Sequence, residues 1–212
     1  MSGDERMIDA FINGADIHRR TASEVFGVPF DEVTGAQRSA AKAVNFGIVY
    51  GISDFGLSRQ LNISRKEAAG YIERYFARYP GIKAFLDKSV ADAAAEGVSK
   101  TLMGRRREMP ELRSSNYNTR SFGERVAMNM PIQGTAADII KAAMVKVFET
   151  LESEGLKAKL ILQIHDELII DCPIEESLRV ERLLKECMEG VMNLAVPLEV
   201  EVKTGNSWYE TK

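Results

Sequence analysis

Two apolar runs, Lys159-Leu-Ile-Leu-Gln-Ile164 and Leu168-Ile-Ile-Asp-Cys172, are separated only by His165, Asp166 and Glu167. Both have strand length and strand composition, and so short a connection joins antiparallel neighbours only, since a parallel pair needs a crossover of about a dozen residues or more. The chain therefore contains a β-hairpin, and its fold must accommodate an antiparallel sheet. The tip lacks the Gly or Asn that such turns usually carry. It also sets two carboxylates side by side. Burying them without partners would cost several kcal/mol, so they are expected to face solvent or a cation.

Before the hairpin the sequence reads as helices. Asp4 to Asn13 is amphipathic, and Asp16 is placed to cap a helix from Ile17 to Phe26 that stops at Gly27. Arg38 to Tyr50 forms a helix ending at Gly51, and Ser53 opens a short one to Leu61. Ser64-Arg-Lys-Glu67 is a capping box for a helix through Tyr79. Pro80-Gly81 breaks the chain, and Ile82 to Glu96 forms a helix ending at Gly97. Beyond Gly97 the pattern changes: Val98 to Leu102 reads as a strand, Gly104 to Asn118 as a loop or ribbon, and Thr119 to Glu154 as a long helix. After the hairpin come a helix from Glu175 to Asn193 and a last strand from Leu198 to Lys203. This order predicts an α+β fold, with a mainly helical subdomain over 1–97 and a sheet-bearing one over 98–212.

The chain of 212 residues is 45% apolar and 28% charged, which is ordinary for a globular protein and gives no sign of disorder. Cys172 and Cys187 lack metal-ligand or redox spacing, no apolar run is long enough for a membrane span, and the N-terminus lacks a signal-peptide pattern. A cytoplasmic protein without membrane contact is expected. The formal net charge of −3 argues at first against nucleic-acid binding. The basic residues are nevertheless clustered, at Arg19-Arg20, Arg38 with Lys42, Arg105-Arg106-Arg107, and Arg113, Arg120 and Arg125. Local charge can serve where net charge does not.

Arg38, Lys42, Phe46 and Tyr50 stand four residues apart. At about 100° per residue they occupy an arc of roughly 120° on one helix. Ala40, Ala43, Val44, Gly47 and Ile48 fill the other side. One face thus offers two cations followed by two rings, the order in which a nucleoside triphosphate presents phosphates, sugar and base. The plain alternative is an amphipathic helix with a solvated basic end, but the separate apolar face leaves Phe46 and Tyr50 unneeded as anchors. Arg125, Asn129 and Gln133 likewise share a face of the long helix, with Pro131 marking a distorted turn. One cation and two amides suit a phosphate and minor-groove acceptors, which allow contact without reading sequence.

The run Arg38-x3-Lys42-x3-Phe46-x3-Tyr50-Gly51 resembles the nucleotide-binding helix of family A DNA polymerases, the bacterial DNA polymerase I type. His165-Asp166-Glu167 between apolar strands is similar to that family's palm motif, and the stretch from Glu124 to Asp138 also matches it. The likeness extends from Gly3-Asp4 through Asp16-Ile-His18 to Gly205-Asn-Ser-Trp208. It implies a helical fingers subdomain followed by part of an antiparallel palm. Arg38, Lys42, Phe46 and His18 would bind the incoming dNTP, with the ring of Phe46 on its sugar. Tyr50, Arg120, Arg125, Asn129, Gln133 and His165 would meet primer-template DNA. Asp166, with Glu167 close by, would hold magnesium ions, two in the complete enzyme. Asp166 and Lys42 would be the catalytic groups.

The family carries a further essential Asp in a motif resembling Asp-Tyr-Ser-Gln-Ile-Glu-Leu-Arg, which this sequence lacks, and neither Asp4 nor Asp16 stands in a matching context. Two-metal phosphoryl transfer needs carboxylates on both sides of the ion pair. The expectation is a fingers-plus-palm piece of a longer DNA-directed DNA polymerase, inactive by itself and partnered in its parent by the thumb and first palm segment. The alternatives are a non-catalytic nucleotide- or DNA-binding module, a subunit completed by another chain, and a purely structural helical protein.

Overall fold

The computed structural model describes residues 1–211. Among them are eight α-helices and two two-stranded antiparallel sheets, the α+β composition expected from the sequence. They divide into two compact units, Met1–Gln133 and Gly134–Lys212.

The first five helices of the first unit carry side-chain caps at their N-termini. In α1 (Glu5–Ile12) the Asp4 carboxylate accepts the Met7 N–H, and in α2 (Ile17–Phe26) Asp16 accepts those of His18 and Arg19. Thr34 and Gln37 form a reciprocal box at the start of α3 (Gly35–Val49). Ser53 caps α4 (Asp54–Leu61), and Ser64 with Glu67 forms the expected box on α5 (Arg65–Arg78). Each cap satisfies donors that a helix start leaves free, worth about 1 kcal/mol. Pro80 interrupts the helical run as expected but also begins α6 (Pro80–Glu96), two residues earlier than read. At a first-turn position proline loses no hydrogen bond, and its fixed φ suits the helix.

These helices close on a core of Val25, Val44, Ile48, Leu57, Ala68, Tyr75, Tyr79 and Leu86. The hydroxyl of Tyr79 donates to Glu24 Oε2 at 2.9 Å, and Arg78 Nε donates to Glu24 Oε1 at 2.6 Å. Burial, with the Glu24 carboxylate alongside, pushes that hydroxyl's pKa up to about 12. It therefore stays a neutral donor. The segment after Gly97 forms β1 (Val98–Lys100) and β2 (Arg106–Glu108), with Val98 opposite Glu108. The strand is thus shorter than Val98 to Leu102, and the expected ribbon is present. Ala93, Met109 and Ala127 bury one side of α6 against this segment and the start of α7 (Tyr117–Ser153). The helical-to-strand change at Gly97 therefore lies inside the first unit. Helix α7 continues through Pro131, whose missing N–H removes only one backbone bond.

The second unit contains the rest of α7, the hairpin strands β3 (Lys159–Ile164) and β4 (Glu167–Asp171), and α8 (Ser177–Glu189). Val147, Leu151, Ala158, Val180, Leu183, Leu184 and Cys187 form its core, with Leu160, Leu168 and Ile170 packed on it from the hairpin. Ile161 is a bulge between the pairs Leu160–Ile170 and Leu162–Ile169. Helix α8 ends at Glu189, with Gly190 as its C-cap, before the expected Asn193. No described strand pairs with Leu198 to Lys203, which is not a strand; the Val200 N–H bonds instead to the Glu189 carboxylate at 3.1 Å. An alternating apolar run expresses β-propensity, but only a partner edge makes a ladder.

Candidate functional site

Helix α3 buries Ala41, Val44, Gly47 and Ile48 and leaves Arg38, Lys42, Phe46 and Tyr50 exposed. Phe46 and Tyr50 are each 50% accessible and stand one turn apart on the helix, so their rings form neighbouring apolar surfaces on this face. The Lys42 ammonium stands 5.9 Å from the centre of the Phe46 ring. Phe46, Tyr50, Ile52, Gly56, Gln60 and Arg125 border an open cleft of about 500 Å³. The face can therefore meet an anion at its Arg38 end and a flat apolar group at its Phe46 end.

Helix α2 brings His18 and Asp16 to this face. Arg38 Nε donates to Asp16 Oδ2 at 2.6 Å, while the same carboxylate caps α2. The hydrogen bond from Arg38 holds the Asp16 carboxyl below its ordinary pKa. The stabilisation this pair gives is present above about pH 4, where the unfolded carboxyl titrates, and is lost as pH falls through the lower folded value. The His18 ring lies 5.8 Å from that of Phe46 and hydrogen-bonds through Nδ1 to the Asn45 amide at 3.0 Å. Burial, reinforced by the charges of Arg38 and Lys42 against the pull of Asp16, lowers the pKa of the imidazole. The neutral form of the ring is thereby favoured.

The C-terminal end of α3 is tied to α7 within the first unit. Gln133 Nε2 donates to the Tyr50 hydroxyl at 2.9 Å, and Asn129 Nδ2 reaches the Val49 carbonyl at 3.5 Å. Gly51, at φ 66°, lets the stem of Arg125 pack against its backbone: a Cβ there would lie 3.0 Å from Arg125 Cγ and 3.1 Å from Met128 Sδ. Arg125 Nη1 bonds to Ser121, and Arg120 stands over Tyr117 while donating to the Ser114 carbonyl. The row read from α7 is therefore continuous with the aromatic end of the α3 face.

His165, Asp166 and Glu167 belong to the second unit. Ile164 pairs with Glu167, so the turn proper is His165-Asp166, and all three side chains are exposed. His165 takes φ 52°, a left-handed conformation usually left to Gly or Asn. It costs on the order of 1 kcal/mol and fixes where the next two carboxylates emerge. Carboxylate oxygens are the donors Mg²⁺ prefers. Among the described residues, however, no group of three or more His, Cys, Asp or Glu side chains is arranged to hold a metal. The donor type fits the ion, but the number of donors does not complete a site.

Asn45 and its partner Thr21 were not legible as site residues. The only signal was a lone amide between the buried Val44 and the exposed Phe46. Likewise, Asp16 reads from sequence as a helix cap and not as the partner of Arg38.

Residues 1–210 match the family model described as DNA polymerase family A. The chain is 55% identical over 212 residues to the DNA polymerase I of Caldicellulosiruptor bescii, covering all of this chain and 25% of that protein. It is 55% identical to the DNA polymerase I of Bacillus subtilis, of which it covers 24%. Among solved structures it resembles the POL domain of Pol1 from M. smegmatis in complex with DNA primer-template and dNTP. That match has a TM-score of 0.94 and 44% identity, and covers 99% of this chain and 37% of the other. The chain thus spans about a quarter of the length of the curated relatives it matches.

Proposed function

Since the chain belongs to DNA polymerase family A, we propose that it is the dNTP- and DNA-binding part of a longer DNA-directed DNA polymerase that extends primers in replication and repair. The observation that carries this reading is the α3 face, where two cations and two half-exposed rings follow one another along one helix. Residues 1–97 serve as the fingers and 98–212 as a palm segment. Arg38 and Lys42 bind the triphosphate with His18 beside them, and Phe46 packs on the sugar. Tyr50, Arg120, Arg125, Asn129, Gln133 and His165 contact primer-template DNA. The complex reported for the M. smegmatis polymerase domain supports both ligands as candidates.

Asp166 and Glu167 are the proposed contribution to two Mg²⁺ ions, which supply charge neutralisation at the transferred phosphate when bound. Because two adjacent carboxylates do not complete such a site, the 212-residue chain alone is a binding module without polymerase activity. Both cysteines are free thiols, in keeping with a cytoplasmic setting. Among the described residues no helix is long and apolar enough to cross a membrane.

Fluorescence titration tests the nucleotide reading. The chain should bind a dNTP far more tightly than the corresponding nucleoside, with an affinity that falls as salt is added. Equal affinity for the two would overturn it. Asp16→Asn keeps an acceptor for the α2 cap but frees Arg38 and removes a negative charge. As exposed ion pairs are worth roughly 0.2–1 kcal/mol, dNTP binding should tighten up to about fivefold in the same titration.

A further inference from the structure

The polar side chains behind His18 form a chain that runs from Thr21 through Asn45 to its Nδ1. Thr21 is fully buried, and its hydroxyl donates to Asn45 Oδ1 at 3.1 Å. That bond occupies the carbonyl end of the amide and leaves the NH₂ end for the imidazole, whose Nδ1 lies 3.0 Å away. With the amide in this orientation its NH₂ group donates and Nδ1 accepts, and a neutral ring that accepts at Nδ1 carries its proton on Nε2. Protonating Nδ1 would set N–H against N–H. The charges facing the ring act in the same sense: Arg38 and Lys42 disfavour an imidazolium, and only Asp16 favours one.

We infer that Asn45, held by Thr21, is a positioning residue that presents His18 to the triphosphate as a neutral Nε2–H donor. The inference rests on the reading of His18 as a triphosphate-binding residue. Phosphate oxygens only accept, so an Nε2–H strengthens the contact and a bare Nε2 lone pair weakens it. The arrangement adds a directional donor near the two cations without adding a third charge.

The chain has two histidines, and His165 in its exposed turn serves as an internal reference. Long-range ¹H–¹⁵N spectra of the ¹⁵N-labelled chain read the tautomer directly, in the absence of nucleotide. His18 should give the Nε2–H pattern. Asn45→Asp, whose carboxylate accepts from Nδ1–H, should convert it to the Nδ1–H or imidazolium pattern, and Thr21→Val should give a mixture; His165 should not change. In dNTP titrations Asn45→Ala should bind about fivefold more weakly, with no further loss when His18→Ala is already present. An Nδ1–H pattern in the unmodified chain, or spectra unchanged in Asn45→Asp and Thr21→Val, would overturn the positioning role. So would a loss in Asn45→Ala that persists in the His18→Ala background. If the spectra respond as expected but His18→Ala binds dNTP like the unmodified chain, the tautomer assignment stands, and the triphosphate role of His18 falls together with its link to Asn45.

Discussion

Replacing Lys42 with alanine lowers the affinity of the chain for a dNTP by roughly ten- to a hundredfold, and replacing Arg38 does so by a smaller factor. Hydrogen bonds to charged groups contribute about 1.5–3 kcal/mol, and at about 1.4 kcal/mol per tenfold this sets the range for Lys42. The difference between the two cations comes from the ligand-free structure. Lys42 is exposed over the Phe46 ring and, among the described residues, has no carboxylate in ion-pair contact. Arg38 already donates its Nε–H to Asp16, whose carboxylate offsets part of the positive charge that a phosphate would meet. A cation that is already paired returns less on binding an anion than one gaining its first partner. Titrations of both variants at low and at raised salt measure the effect, which should shrink as salt screens the exposed site. A Lys42→Ala chain that binds as the original does would remove the α3 face from nucleotide binding.

Gly51→Ala destabilises the first unit by about 3 kcal/mol, whereas Gly27→Ala costs about 1 kcal/mol. The two glycines have nearly the same left-handed backbone, φ 66° and 69°, so the conformational penalty of a side chain is shared. Their surroundings differ. A Cβ at Gly27 meets nothing within 4 Å, while one at Gly51 reaches Arg125 Cγ at 3.0 Å and Met128 Sδ at 3.1 Å. The excess at Gly51 is therefore the cost of pushing α7 away from the end of α3. Urea unfolding followed by circular dichroism gives both values, and equal losses at the two positions would show that the close approach carries no energy. The same push displaces Arg125 and stretches the 2.9 Å bond from Gln133 to Tyr50, so primer-template binding should weaken in Gly51→Ala and not in Gly27→Ala.

How much of this was legible depended on the range of the interactions. Helix caps are local: Asp16 before Ile17 and Ser64 with Glu67 satisfy donors two or three residues away, and both formed as read. The hairpin was equally plain, because three residues between two apolar runs leave no other connection. Leu198 to Lys203 failed as a strand because its composition says nothing about a partner edge. The α3 face could be read because its members repeat along one helix. Its supports could not: Asp16 reaches Arg38 across 22 positions and Thr21 reaches Asn45 across 24. No periodicity encodes those pairs, which exist only once α2 has packed on α3. Nor does sequence show that the His165 backbone is left-handed, since the turn lacks the residues that normally announce it.

Primer extension and binding measured in one sample test the central claim most directly, that this chain binds polymerase substrates without completing the catalytic site. The purified 212-residue chain is mixed with labelled primer-template, dNTPs and Mg²⁺. Anisotropy should report binding of the DNA and fluorescence binding of the dNTP, while the primer stays at its original length. Clear Mg²⁺-dependent extension that Asp166→Ala abolishes would contradict the account.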